Sequence, residues 1–160
     1  MRIPQALAAL AVLATAAIAL PSRAEEAFDA CTVFTADDAG KAMGAPATPE
    51  PVNPKVKRPK VVLACTYTGS KEGKPVSANV QFKFHANNDA ALKAFEEERL
   101  QLQTKPMLLT GAEGFWSGKT GQMFLRKGKA TFIVQVGSAK LNERDVGDAK
   151  KLAEILIKKL

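Results

Sequence analysis

Few residues in this chain could do chemistry. It has two cysteines, Cys31 and Cys65, and a single histidine, His85. One carboxylate stands apart. Glu113 lies in Gly111-Ala112-Glu113-Gly114-Phe115-Trp116-Ser117-Gly118, next to the sole tryptophan. Glycines permit close approach of a ligand to backbone, and a Phe-Trp pair offers an apolar surface with a polar indole handle. A site built there would use Glu113 as its acid or base. In the competing reading, Phe115 and Trp116 simply anchor the segment to the core. Glu96, Glu97 and Glu98 form an acidic run, but consecutive helical residues point about 100° apart and do not converge on a metal. Lys55, Lys57, Arg58 and Lys60 could dock on a polyanion, or be the solvated charges of a linker that blocks edge pairing. A nucleophile needs a positioned base, and His85 falls at a strand end on the wet face. GxSxG, HExxH, P-loop and GxGxxG patterns are absent. No metal, cofactor or specific nucleic acid is expected.

The cysteines are best read through the compartment. Arg2 precedes the apolar run Leu7 to Leu20, and Pro21-Ser22-Arg23-Ala24 follows with small residues at the −3 and −1 positions. Residues 1–24 therefore read as a secretory signal peptide cleaved after Ala24. The apolar run is about 14 residues, short of the roughly 20 that span a bilayer, so no transmembrane anchor is expected in the mature form. No lipobox cysteine follows it. In an oxidising compartment, most simply a bacterial periplasm, the remaining two thiols pair. A loop of about 35 residues closed by that bridge is worth roughly 3–4 kcal/mol in the chain-entropy account. CxxC spacing is absent, and one distant histidine cannot complete a zinc site. The net charge of +7 favours acidic partners, such as an anionic envelope component, without naming one.

The elements that must position these residues follow from pattern. Thr35 and Asp38 form a capping box for a short helix that Gly44 ends. Residues 45–60 carry five prolines and four basic residues, and predict an extended, partly polyproline connection. Val61–Thr68 and the alternating Val76–Phe84 predict a hairpin. Asn87 to Asp89 offer caps for a second helix running to about Gln103. Met107–Thr110 is a candidate short strand, followed by the glycine-bracketed segment as a loop. Gln122–Arg126 and Thr131–Val136 predict a second hairpin around Lys127-Gly128-Lys129. Phe132 to Val134 is apolar on both faces, which predicts a central strand. Asp145 or Asp148 caps a last helix with the stripe Ala149, Leu152, Ala153, Leu156 and Leu160. The expectation is a single α+β domain over residues 25–160. Its largely antiparallel sheet would have four to five strands and three helices, in the order α-ββ-α-ββ-α.

The pattern Cys31-x-x-Phe34-Thr35-x-x-Asp38-Ala39-x-x-x-Met43-Gly44, with Cys65-x-Tyr67, resembles the opening of small exported bacterial domains of unknown function. Gly111 to Trp116, Lys127-Gly128, and Ala149, Leu152 and Ala153 are similar to their later landmarks. Such domains look similar to the α/β/α sandwich of the photosystem extrinsic P protein. The resemblance implies a non-enzymatic scaffold or binding module and supplies no catalytic residues.

The sequence thus points to an exported, non-enzymatic binding or interaction module stapled by one disulfide. Its contact surface would be the Gly111–Lys119 loop with neighbouring sheet edges, to which the basic Lys55–Lys60 segment could add, and its partner a periplasmic protein or an anionic envelope component. Two alternatives use the same loop: an inhibitor presenting it to an exported hydrolase, and a carboxylate-based enzyme using Glu113.

Overall fold

The computed structural model describes residues 28–51 and 61–160. Residues 1–24, read above as a signal peptide, and Lys55, Lys57, Arg58 and Lys60 lie outside the described residues. In chain order the elements are α1 (Ala30–Val33), α2 (Ala36–Met43), β1 (Ala47–Pro49), β2 (Ala64–Lys71), β3 (Lys74–Phe84) and α3 (Asn88–Gln101). Then come β4 (Pro106–Leu109), β5 (Ala112–Ser117), β6 (Gln122–Lys127), β7 (Ala130–Gly137), a 3₁₀ turn (Leu141–Glu143) and α4 (Val146–Ile157).

All seven strands join one sheet in the order β1-β2-β3-β7-β6-β5-β4, with every neighbouring pair antiparallel. Two meanders, β1-β2-β3 and β4-β5-β6-β7, meet at the β3–β7 ladder. The α+β class holds, but the expected four to five strands and three helices do not: the described residues form one sheet of seven strands and four α-helices. Each discrepancy has a local cause. β1 comes from the proline-rich segment. It is an edge strand, where proline is tolerated, and Pro49 sits opposite Tyr67. β4 is the other edge and begins at Pro106. β5 is the segment read as a loop. Its Gly114 is packed so tightly that an added Cβ would lie 3.0 Å from Leu109 Cδ1 and 3.2 Å from the Phe124 carbonyl oxygen. α1 is a single turn that Asp29 caps by accepting from the Cys31 N–H at 2.9 Å.

Alternation along the strands separates two faces. Ala78, Val80 and Phe82 of β3, Phe132, Val134 and Val136 of β7, and Met123 and Leu125 of β6 point into the main core. Phe34, Ala39 and Met43 from the first two helices and Leu152, Ala153 and Leu156 from α4 cover them. The last-helix stripe is buried as expected up to Leu156, whereas Leu160 lies past the helix end and is 39% exposed. Helix α3 packs on the opposite face, where Phe95 meets Phe115 and Phe124 in a second, smaller core. β7 lies fourth of seven, the central place its apolar run predicts.

The first helical layer is tied down at three points. Cys31 and Cys65 form a disulfide with a Cα–Cα distance of 5.2 Å, joining α1 to β2. The capping box is complete: Asp38 Oδ2 accepts from the Thr35 N–H at 2.9 Å, and Thr35 Oγ1 from the Asp38 N–H at 3.4 Å. Lys159, beyond the end of α4, donates to the same Asp38 carboxylate and, at 3.2 Å, to the Val33 carbonyl. Burial pushes the Asp38 carboxyl up, but the hydrogen bonds from Lys159 and Thr35 outweigh it and hold the group below the usual carboxylate range. Among the described residues, no helix is long and apolar enough to cross a membrane.

Candidate functional site

The glycine-bracketed segment does not present one aromatic surface. Because β5 is a strand, Phe115 and Trp116 project to opposite sides of the sheet. Phe115 is fully buried, stacked on Phe124 at 4.8 Å and tilted against Phe95 at 5.1 Å. Trp116 packs at the margin of the main core. Glu113 is held by Arg126, whose Nε and Nη2 lie 2.8 and 2.7 Å from its Oε2. β5 runs between β4 and β6, so this stretch does not project from the body as a plug.

The acidic run of α3 splits as helical geometry requires. Glu96 takes Arg99 at 2.5 Å, a hydrogen bond that lowers its carboxyl pKa. Glu97 lies 4.0 Å from Lys93. Glu98 turns toward the sheet instead. Among the described residues, no three His, Cys, Asp or Glu side chains gather as a metal would require.

What Glu98 faces is a cleft of about 200 Å³ between α3 and the outer face of the sheet. Register arranges the sheet face in and around it in rows across the strands. One row is Lys83 (β3), Thr131 (β7) and Arg126 (β6). The next is Gln81, Ile133, Phe124 and Phe115. The third is Asn79 and Gln135. Helix α3 sits over the β6 side, with Ala94, Phe95 and Glu98 as one wall of the cleft. Lys83 and His85 line the β3 side. The middle is therefore apolar (Phe95, Phe124, Ile133) and the ends are polar.

His85 follows the last residue of β3. Its N–H donates to the Lys129 carbonyl at 2.9 Å, and its Nε2 lies 2.9 Å from Thr131 Oγ1. A hydroxyl–imidazole contact is the starting geometry of a nucleophile–base pair. Activation also needs a group orienting the imidazole, and no carboxylate bonds His85 among the described residues. The pair is better suited to offering a hydroxyl and a ring nitrogen to a bound molecule.

Sequence reasoning placed His85 on the wet face correctly but gave it no role. The missed feature is that α3 leans over that face. A signal was present. Phe115 and Phe124 alternate out of step with Trp116, Met123 and Leu125, so they need a second cover. Ala91 and Phe95 are the apolar pair able to supply it.

No family model matches the chain, and no curated protein aligns with it significantly.

Proposed function

We propose that this chain is an exported, non-enzymatic binding module whose ligand surface is the cleft beneath α3. The carrying observation is the cleft itself: an apolar floor of Phe95, Phe124 and Ile133 with Gln81, Lys83, His85, Thr131 and Glu98 around it. Small-molecule sites have this make-up, mostly apolar with a few polar groups that orient the ligand. Export is supported by the leader-like residues 1–24 and by the Cys31–Cys65 bridge, which belongs in an oxidising compartment. The resemblance to small exported domains points the same way. Binding is preferred over a Glu113-based enzyme because Arg126 already neutralises that carboxylate. It is preferred over a hydrolase inhibitor because the Gly111–Lys119 segment lies within the sheet.

A thermal-shift screen of small organic acids, amines and sugars tests the proposal on the wild type and on Ala94→Trp, which fills the cleft. A ligand at a hundred times its Kd stabilises the fold by about 2.7 kcal/mol. The expected result is compounds that raise the wild-type Tm and lose that effect in Ala94→Trp. Compounds that act equally on both proteins, or a screen without stabilisers, would contradict it.

A further inference from the structure

Two ionisable side chains in the cleft stand out because the structure gives them no partner. Lys83 and Glu98 make no ion pair or side-chain hydrogen bond among the described residues. Around them, Glu96 is engaged with Arg99, Glu97 with Lys93, and Glu113 with Arg126. The unpaired charges are of opposite sign, and they lie at opposite ends of the apolar floor.

The direction of α3 establishes this. Its first residue, Asn88, lies over the β6–β7 turn, where its Oδ1 would be 3.9 Å from a Cβ placed on Gly128. Seven residues on, Phe95 lies against Phe115, in the row of Gln81, Ile133 and Phe124. The helix therefore runs along the strands, away from the Lys83 row. Glu98 falls about 4.5 Å further along the axis, toward Asn79 and Gln135. Lys83, Thr131 and His85 lie on the near side of the apolar row, roughly 7 Å back by strand geometry. A ligand lying along β7 meets a cation and a bonded imidazole at one end, aromatic and branched side chains in the middle, and a carboxylate at the other end.

Resting on the binding reading above, we infer that the cleft takes a small dipolar molecule: an apolar or aromatic body with a carboxylate at one end and an ammonium at the other. The carboxylate goes to Lys83 and His85, and the ammonium to Glu98. Size agrees. An apolar cavity of about 150 Å³ holds benzene, so about 200 Å³ admits one ring with a short substituent at each end. Arg126 and Glu113 lie beyond Thr131 in the same row and neutralise one another, and Lys83 is the lysine that lines the cleft at that end.

The test uses 4-(aminomethyl)benzoate, with benzoate and benzylamine as single-charge controls, in calorimetric titrations of the disulfide-bonded protein. Each charge-assisted hydrogen bond is worth about tenfold or more in affinity. The dipolar probe should therefore bind at least about tenfold tighter than either control. Glu98→Gln should reduce it to the affinity of benzoate without weakening benzoate itself. Lys83→Gln should reduce it to the affinity of benzylamine. Both positions are accessible to solvent, and unchanged circular dichroism checks that the variants fold. Equal affinities for the three probes, or discrimination that survives both substitutions, would overturn the inference while leaving the cleft a binding site. If none of the three bound in the cleft, the inference would fall, and the screen with Ala94→Trp would then decide whether the binding reading falls with it.

Discussion

Replacing both cysteines by alanine removes the tie between α1 and β2. The sequence separation is 34 residues. In the chain-entropy model a loop of about 35 residues gives an entropy term near −13 cal/mol/K, or about 4 kcal/mol at 25 °C. That is a large part of an ordinary domain stability of about 5–15 kcal/mol. The local structure cannot compensate. α1 is four residues long and α2 eight, both too short to persist without tertiary contacts. For a domain of this size, about 4 kcal/mol corresponds to a fall in Tm of roughly 10–15 °C. Urea unfolding of oxidised wild type and of Cys31→Ala/Cys65→Ala, followed by circular dichroism, measures the loss. The slope with urea should rise, because an uncrosslinked unfolded chain exposes more surface. A loss below about 1 kcal/mol would refute the argument: the helical layer would then be held by its packing and by the Asp38 contacts alone.

Three further predictions follow from single contacts. Asp38→Asn weakens the capping box and leaves Lys159 without its carboxylate, so it should cost about 1–3 kcal/mol in denaturant unfolding. The folded Asp38 carboxyl titrates below its ordinary value. Its stabilisation is therefore fully present above about pH 4 and is lost as pH falls through the folded value, and Asp38→Asn should flatten that acid limb. Gly114→Ala places a methyl against Leu109 Cδ1 and the Phe124 carbonyl, and should cost about 1–3 kcal/mol by overpacking, read as a lowered Tm. Glu113→Gln breaks an ion pair whose carboxylate is about half exposed. It should change stability by less than about 1 kcal/mol and should not weaken cleft binding; a loss of binding would return Glu113 to the site.

What could be read from the sequence was what neighbouring residues decide among themselves. Thr35 and Asp38 form their box because both ends lie within one turn, and Gly44 ends α2 in the left-handed conformation, φ 67°. The alternation in Val76–Phe84 marks a half-buried strand whatever its partners. The stripe of α4 is equally self-contained. β1 and β5 were hidden for the opposite reason. Ala47–Pro49 is a strand only because β2 pairs with it from outside the proline-rich stretch. The glycine-rich β5 is a strand because β4 and β6 flank it and Gly114 needs the space. The cleft depends on a longer-range fact still: which face of the sheet α3 covers, and that it packs on β6 and β7 rather than on β3. Glu98 looked like one member of a solvated acidic run, and only its placement over the sheet separates it from Glu96 and Glu97.

The central claim, that the cleft beneath α3 is where this protein meets its ligand, is tested most directly by nitrogen-15 NMR. The labelled, disulfide-bonded chain is titrated with 4-(aminomethyl)benzoate and the amide shifts are mapped. The account predicts the largest changes at Gln81, Lys83, His85, Ala94, Glu98, Thr131 and Ile133, with little at β5 or the α4 surface. Shifts centred on Gly111–Lys119, or spread evenly over the molecule, would contradict it.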